Sequence, residues 1–139
     1  MKHSYTILYV DDDPDDLQLI AEAFLTYTEK LRVAHAHNGK EALEVLEKMK
    51  GLGTLPCLII LDINMPVLNG LDTLVHLRIH PEYQNVPVVI FSTSENERDR
   101  QFARKWGADF ITKPSKFVHL KVLVDQFVSR CIWQMENKA

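Results

Sequence analysis

The stretch that decides the fold is YTILYVDDDPDD, residues 5–16, in which an apolar segment runs directly into the start of a helix. Residues 5–10 form a continuous run of the kind found in a buried parallel strand. Asp13 can cap a helix and Pro14 suits its first position, and apolar residues then recur at helical spacing as far as Leu25. A buried strand followed at once by a helix is the unit from which parallel sheets are built.

The same alternation of strand and helix continues along the chain. Further strands are predicted at RVAHAH (32–37), CLIIL (57–61), VPVVIF (86–91) and DFIT (109–112). Asn38-Gly39 is expected to form a turn after the second strand, and Gly107 to end the fourth helix. Five strands alternating with five helices predict a doubly wound α/β fold of the flavodoxin type. We expect a parallel sheet in the order 2-1-3-4-5 with helices on both faces.

The length, composition and net charge of the chain limit how many domains it can form and what kinds of partner it is expected to bind. With 139 residues and 46% hydrophobic content, we expect one domain over residues 1–139, with its core at about residues 4–131. The net charge is -3, which offers no general attraction for nucleic acid or an anionic membrane. The start MKHSYT has no apolar core of a signal peptide, and no apolar run approaches the roughly 18 residues of a membrane span. A cytoplasmic protein is expected.

The two cysteines are predicted to be reduced core residues. Cys57 lies in an apolar strand and Cys131 on the apolar face of the last helix. Their spacing fits no metal site, and the chain is not rich in cysteine.

Polar residues follow the predicted strands at the points where they end. These residues are Asp11 and Asp12 after strand one, Asp62 after strand three, Ser92 and Thr93 after strand four, and Lys113 after strand five. In the expected order, strands one and three are neighbours, which puts three carboxylates about one strand spacing, roughly 5 Å, apart. Like charges this close repel unless a cation lies between them. Mg²⁺ is predicted, because it binds through a few carboxylates together with water and phosphate.

The acids of this stretch also allow a calcium-loop interpretation. Asp11, Asp13, Asp15 and Glu22 occupy four positions of the D-x-D-x-D-G-x5-E pattern. Asp16 stands where that loop needs glycine, and a strand precedes the loop where a helix is required. The acids of the first helical turn are explained more simply by capping and by the helix dipole.

Two other classes of protein, a phosphatase and a cofactor-binding protein, share parts of this sequence pattern. Asp11-x-Asp13 fits the D-x-D of dehalogenase-type phosphatases, in which the first aspartate is the nucleophile, but that interpretation leaves the motif around Asp62 unexplained. A flavin mononucleotide binder shares the topology. Its first loop should present hydroxyls and glycines to a phosphate, whereas this one presents acids.

Four segments together resemble the receiver domain of two-component response regulators, the CheY-like family. They are VDD (10–12), LDINMPVLNG (61–70), PVVIFSTS (87–94) and GADFITKP (107–114). They occur in the family's order and at its distances, and the resemblance covers nearly the whole chain. Each motif alone is weak, and the set is specific.

This resemblance implies a site for phosphoryl transfer. Asp62 would be the phosphoacceptor, taking a phosphoryl group from a phosphohistidine of a sensor kinase or a phosphotransfer protein. Asp11, Asp12, Asp62 and the backbone carbonyl of Asn64 would hold Mg²⁺. The ammonium group of Lys113 would neutralise charge on the phosphoryl group.

The resemblance also implies a switch. Ser92 would donate a hydrogen bond to the phosphoryl group, and Phe110 would then turn inward and remodel the surface of the fourth helix, fifth strand and fifth helix. Phe110 has no hydroxyl, so a switch that needs a tyrosine hydrogen bond is excluded. Thr93, Asn64 and Ser94 are expected to control access to the phosphoryl group and its lifetime.

By resemblance, the chain is a stand-alone signalling module, and its only chemistry is its own phosphorylation and dephosphorylation. The segments HPEYQNVPVV and STSENE resemble the subgroup that partners bacterial sensor kinases, including phytochrome-like ones. A homodimer through the fourth helix, fifth strand and fifth helix is left open. So is a pseudo-receiver in which Asp62 is never modified.

Overall fold

The computed structural model describes residues 5–27 and 29–137. The predicted start of the core at residue 4 lies outside this part of the chain. The described residues form a five-stranded parallel sheet in the order β2-β1-β3-β4-β5, which confirms the predicted doubly wound fold. The strands are β1 (Tyr5–Val10), β2 (Leu31–Ala36), β3 (Leu58–Leu61), β4 (Val88–Ser92) and β5 (Asp109–Thr112).

Within the described part of the chain, five α-helices connect and follow the strands. They are α1 (Pro14–Ala23), α2 (Gly39–Gly51), α3 (Gly70–Ile79), α4 (Glu97–Lys105) and α5 (Phe117–Glu136), and a short 3-10 helix spans Leu25–Tyr27. Asp13, Asn69 and Asn96 cap α1, α3 and α4, each accepting a hydrogen bond from a backbone N–H of the first turn. Among the described residues, no helix combines the length and the apolar character that a membrane crossing requires.

The core lies on both faces of the sheet, because successive strand residues point to opposite sides. Leu8, Val10 and Ile59 pack on the face covered by α2, α3 and α4. Ile7 and Ile60 pack on the face covered by α1 and α5. This double burial explains why the three central strands, β1, β3 and β4, are almost continuously apolar in sequence.

Several predicted boundaries are wrong by one or two residues, and one predicted turn is a helix start. β2 begins at Leu31 and ends at Ala36, so His37 follows the strand. Asn38 caps α2 through a hydrogen bond from Glu41 N–H at 2.9 Å, and Gly39 is the first residue of that helix. The Asn-Gly pair therefore serves as a helix entry, since an asparagine side chain suits a cap as well as a turn.

The prediction of two reduced cysteines is wrong in this structure. Cys57, just before β3, forms a disulfide with Cys131 of α5, with their Cα atoms 5.0 Å apart. Both residues are buried in the cluster between the sheet and α5. Their separation of 74 residues gave no signal in the sequence, because only the packing of α5 on the sheet brings them together.

Candidate functional site

Three carboxylates meet at the edge of the sheet where β1 and β3 end. Val10 and Leu61 are paired across these strands, and the Asp62 N–H donates to the Val10 carbonyl at 3.0 Å. Each of these paired residues is followed by an aspartate, Asp11 after β1 and Asp62 after β3. One carboxylate oxygen from each of Asp11, Asp12 and Asp62 lies within 4.8 Å of the others. The predicted acidic cluster is present.

Asp11 is fully buried, and three donors hold its carboxylate. Oδ1 accepts the Asp13 N–H at 3.0 Å, while Oδ2 accepts the Tyr9 hydroxyl at 2.8 Å and the Lys113 ammonium at 2.7 Å. Burial, followed by the charge of Asp11, raises the pKa of Tyr9, so this hydroxyl keeps its proton and stays a donor. These contacts fix the orientation of Asp11.

Lys113 brings a single ammonium group to three carboxylates. Its Nζ lies 2.7 Å from Asp11 Oδ2, 2.7 Å from Asp16 Oδ2 and 3.2 Å from Asp62 Oδ2. Its backbone N–H donates to the Ser92 carbonyl at 2.9 Å, which ties the end of β5 to β4. Burial alone would lower the pKa of Lys113, but the bonds to Asp11 and Asp16 outweigh burial and raise it. The ammonium group is therefore charged.

Asp62 is mostly buried, with 13% of its side chain exposed. Its Oδ1 accepts the Ile63 N–H at 2.8 Å, and its Oδ2 faces Lys113. Burial raises the pKa of the Asp62 carboxyl; the charge of Lys113 opposes this effect and that of Asp11 adds to it. An exposed edge remains through which a reacting group can reach the carboxylate.

The loop after Asp62 folds back onto that residue. The Gly70 N–H donates to the Ile63 carbonyl at 2.9 Å, and a Cβ at Gly70 would overlap the Asp62 carbonyl oxygen. Val67 at the tip of this loop has a positive φ of 68° and is 76% exposed. A β-branched residue rarely adopts this conformation, so the loop carries local strain beside the acidic cluster.

Tyr9 and Asp16 are members of this site that sequence reasoning missed. The sequence explains Asp16 as an acid that favours the helix dipole of α1, yet its carboxylate pairs with Lys113. A signal was available for both residues. Tyr9 lies two residues before Asp11 and so shares its face of the strand, and Asp16 lies four residues before the buried Ile20 on α1.

The residues predicted for switching and access lie in β4 and β5 and in the loops after β3 and β4. Ser92 is fully buried at the end of β4, and its Oγ accepts the Ser94 N–H at 3.3 Å. Thr93 and Asn64 are exposed in the loops after β4 and β3. Phe110 on β5 is half-buried against the core. None of these four forms a hydrogen bond to the three acids among the contacts of the described residues.

The cluster fits a hard divalent cation. Its donors are all carboxylate oxygens, which Mg²⁺ and Mn²⁺ accept, and Asp12 is exposed, so water can complete the coordination. Asp13 does not join this donor set. Its side chain accepts the Asp15 N–H at 2.9 Å as the cap of α1, which argues against both the calcium loop and the D-x-D arrangement.

Comparisons with known proteins agree with this site. The family described as "Response regulator receiver domain" matches residues 7–125. The chain belongs to this family, whose members act in two-component signalling. Phosphorylation and Mg²⁺ are characteristic of receiver domains, which are signalling modules that interact with histidine kinases or phosphotransfer proteins.

Several similar proteins align with most of the chain. A 14.6 kDa protein in the sodA1 3'region of Leptolyngbya boryana is 36% identical over 122 residues, covering 87% of this chain and 88% of that protein. The crystal structure of the phosphorylated cyanobacterial phytochrome response regulator RcpA aligns with a TM-score of 0.84 at 28% identity. The alignment covers 97% of this chain and 96% of RcpA. The crystal structure of the Mn²⁺-bound form of response regulator Rcp1 aligns with a TM-score of 0.76 at 26% identity. The alignment covers 90% of this chain and 92% of Rcp1. Other curated relatives are longer, and the chain spans 27% to 54% of their length.

Proposed function

We propose that this chain is a phosphoacceptor switch in which Asp62 takes a phosphoryl group from a phosphohistidine of a sensor kinase or a phosphotransfer protein. The observation that carries the proposal is the position of the Asp62 carboxylate, at the solvent-open edge of a pocket with two further acids and with the Lys113 ammonium at 3.2 Å. A carboxylate and a fixed cation at the end of a parallel strand are the parts that acyl-phosphate formation needs.

The chemistry is a phosphoryl transfer to oxygen. An Asp62 carboxylate oxygen forms the new bond to phosphorus while the bond from phosphorus to the donor imidazole breaks, and the imidazole nitrogen keeps the electron pair. Lys113 reaches an oxygen of the nucleophile and is placed to neutralise the phosphoryl oxygens, where charge spreads during transfer. Before transfer, Asp11 and Asp16 hold the ammonium group in position.

Mg²⁺ is the proposed cofactor. Asp11, Asp12, Asp62 and the backbone carbonyl of Asn64 would hold it, and when bound it would supply positive charge against the incoming phosphoryl group. The Mn²⁺-bound form of Rcp1 supports a divalent ion in this fold. Asp11 is already oriented by Tyr9, so the fold prepares one ligand before the ion arrives.

The proposed output is a change in the surface formed by α4, β5 and α5. Ser92 would donate to the phosphoryl group, and Phe110 would move inward from its half-buried position. Thr93 and Asn64 are exposed in the loops after β4 and β3, and the Ser94 hydroxyl donates to Asp99 in the first turn of α4 at 2.9 Å. We assign these three positions to control of access and of acyl-phosphate lifetime.

We further propose that residues 1–139 act as one receiver domain in the cytoplasm, with output delivered by protein contact. The bacterial phytochrome response regulators among the structural relatives support a sensor kinase as the phosphodonor. A second copy of this chain is an alternative occupant of the α4-β5-α5 surface.

The test is the mass of the intact protein after incubation with acetyl phosphate and Mg²⁺. One added phosphoryl group is expected in the wild type, and none in Asp62→Asn or in excess chelator. Asp15→Asn is the matched control, because Asp15 is exposed on the neighbouring turn and outside the cluster. Equal labelling of Asp62→Asn would contradict the proposal, and labelling of neither protein would favour a pseudo-receiver.

A further inference from the structure

We propose that the Cys57–Cys131 disulfide is a site of thiol–disulfide exchange, at which a dithiol reductant enters a surface cavity and attacks the sulfur of Cys57. Reduction then releases the last turn of α5 from the sheet. The observations that carry this proposal are the position of the disulfide beside the cavity and the unequal access to its two cysteines. The proposal does not depend on phosphorylation of Asp62.

The cavity lies at the end of the sheet opposite to the acidic cluster. Pro56, Cys57 and Pro87, which line it, come before β3 and β4, whereas the acids follow β1 and β3. Lys50 and Glu82 also line it, and their side chains are 28% and 50% exposed, so the cavity opens to solvent. Its volume of about 430 Å³ falls within the range of small-molecule pockets. A small dithiol or the tip of a protein loop therefore fits inside.

The two cysteines differ in their access from this cavity. Cys57 lines the cavity and is 2% exposed. Cys131 is fully buried in the cluster between the sheet and α5 and does not belong to the cavity lining. Gln134 and Met135 complete the lining from the last turn of α5, so a small movement of this turn widens the approach to Cys57. Access decides which sulfur a thiolate attacks, and the attack is therefore expected at Cys57.

The exchange transfers two electrons from the dithiol to the disulfide. The first thiolate of the reductant forms a bond to Cys57 Sγ while the bond between the two cysteine sulfurs breaks, and Cys131 leaves as a thiolate that takes up a proton. The second thiol of the reductant then loses its proton and attacks the sulfur of the first. The reductant becomes a disulfide, and Cys57 leaves as a thiolate that is protonated in turn.

A dithiol suits this site better than a monothiol, because Cys131 stays beside Cys57 after the first step. Val124, Phe127 and Val128 are buried against the sheet and keep most of α5 in place. Cys131 should therefore expel a monothiol from Cys57 and re-form the original disulfide. A dithiol escapes this reversal, because its second thiol is also held close to the mixed disulfide.

The disulfide holds the last turn of α5 to the sheet. Beyond Cys131, Ile132 and Met135 are half-buried against the core, while Trp133 is 64% exposed. Reduction removes the covalent link and leaves the packing of these side chains. A helix end with few buried contacts opens more often than the core of a fold. We therefore expect local opening of this turn, with the earlier turns of α5 still packed.

The first test compares the two thiols in single variants, each confirmed as folded by circular dichroism. Iodoacetamide should modify Cys57 in Cys131→Ala at least about tenfold faster than Cys131 in Cys57→Ala, because the buried thiol reacts only after α5 opens. Intact mass measures both rates, and urea should make them equal. Equal rates in the folded proteins, or faster reaction of Cys131, would overturn the assignment of Cys57 as the attacked sulfur.

The second test uses the intact disulfide and compares dithiothreitol with 2-mercaptoethanol at equal thiol concentration. After quenching with N-ethylmaleimide, the mass of the folded protein should show two adducts with dithiothreitol and few with 2-mercaptoethanol. Asp62→Asn should behave like the wild type, so the result stands whether or not Asp62 accepts phosphate. Equal reduction by both reagents, or reduction only where urea unfolds the protein, would contradict exchange with a dithiol at the cavity.

Gln134→Trp tests the route through the cavity. A larger side chain in the lining should slow reduction by dithiothreitol about threefold or more, because access to the sulfur limits the exchange. Gln126→Trp is the matched control, since Gln126 is an exposed residue of α5 outside this cavity. Equal slowing in both variants, or in neither, would exclude this route.

Hydrogen exchange measures the consequence of reduction. In the reduced protein, backbone amides of residues 132–136 should exchange faster, while those of β1 and β3 stay protected. Unchanged exchange at the end of α5 would overturn release of the last turn. Loss of protection throughout the sheet would show that the disulfide supports the whole fold and does not act on this turn alone.

Discussion

At the scale of single residues, the site is defined by an excess of negative charge around one cation. The Lys113 ammonium contacts Asp11, Asp16 and Asp62, and Asp12 adds a fourth acid to the same edge of the sheet. Burial of like charges costs free energy unless each charge is compensated. The fold therefore holds the site in a state that favours arrival of a divalent cation.

Asp62→Asn should stabilise the protein at neutral pH in the presence of chelator. Burial first, and then the charge of Asp11, raises the pKa of Asp62 in the folded state, so ionising this residue costs folding free energy. That cost is absent at pH values below the ordinary aspartate pKa of about 3.9. It grows as the pH rises from there towards the raised pKa of Asp62 in the folded protein. Asparagine carries no such cost.

Urea unfolding of both proteins across this pH range checks the prediction. The two free energies of unfolding should converge at low pH and separate at neutral pH, with the variant higher. A wild type that is more stable at neutral pH would show that the contact between Asp62 and Lys113 outweighs burial.

Asp12→Asn should abolish stabilisation by Mg²⁺. An ion that binds only the folded state adds about 2.7 kcal/mol at one hundred times its Kd, which raises Tm by several degrees. Asp12 is exposed, so its loss should leave the fold intact. Thermal unfolding with Mg²⁺ and with chelator measures the effect, and Asp15→Asn should respond like the wild type. An undiminished Mg²⁺ response in Asp12→Asn would exclude this residue as a ligand.

Much of the site could be predicted from the positions of single residues in the sequence, because the carboxyl ends of parallel strands meet at one edge of the sheet. That rule places Asp11, Asp12, Asp62 and Lys113 together from their order alone. The role of Asp16 could not be read in the same way. An acid in a first helical turn has a sufficient local explanation, and the spacing of Asp16 to the buried Ile20 indicates only that Asp16 lies on the inner face of α1; the contact with Lys113 is known from the distance.

At the scale of elements, α4 is anchored at its C-terminal end. Arg78 of α3 donates to the carbonyls of Trp106 and Gly107, at 2.8 and 3.1 Å, and to that of Val86 at 2.8 Å. Gly107 has a positive φ of 74°, which lets the chain leave α4 and enter β5. The N-terminal half of α4 has no anchor from a neighbouring helix among the contacts of the described residues; it is held by the Ser94 hydroxyl, which donates to Asp99, and by Arg100, which donates to Thr112 Oγ1, each at 2.9 Å. Movement of α4 should therefore be largest at the end nearer the site.

Arg78→Lys should destabilise the protein by about 1–3 kcal/mol, because an ammonium group cannot reach all these carbonyls and leaves some of them unsatisfied. Urea unfolding measures the change. Arg98→Lys on the exposed face of α4 is the matched control and should stay within about 0.5 kcal/mol of the wild type. A loss no larger than that of the control would show that Arg78 does not anchor α4.

At the scale of the whole molecule, the fold could be predicted but the disulfide could not. The continuous apolar strands and the helices between them determine a two-faced parallel sheet. The contact of Cys57 with Cys131 depends on how α5 lies across the sheet, which neither periodicity nor spacing encodes. Such long-range pairs are visible only after the layers are packed.

Reduction of the Cys57–Cys131 disulfide should lower the free energy of unfolding by about 2–4 kcal/mol, because it restores freedom to a long loop of the unfolded chain. Urea unfolding with and without reductant measures the change. The double variant Cys57→Ala/Cys131→Ala should not respond to reductant. Equal stability of the wild type under both conditions would show that the disulfide is absent from the protein in solution.

If Asp62 is the phosphoacceptor, its carboxylate becomes an acyl phosphate. Borohydride reduces an acyl phosphate of aspartate to homoserine, so the protein should be treated with acetyl phosphate and Mg²⁺, reduced, digested with trypsin and sequenced by mass spectrometry. We predict homoserine at position 62, in the peptide of residues 51–78, and none after treatment in chelator. Homoserine at position 11 or 12, or a phosphorylated protein with Asp62 unchanged, would contradict the assignment of Asp62 as the phosphoacceptor.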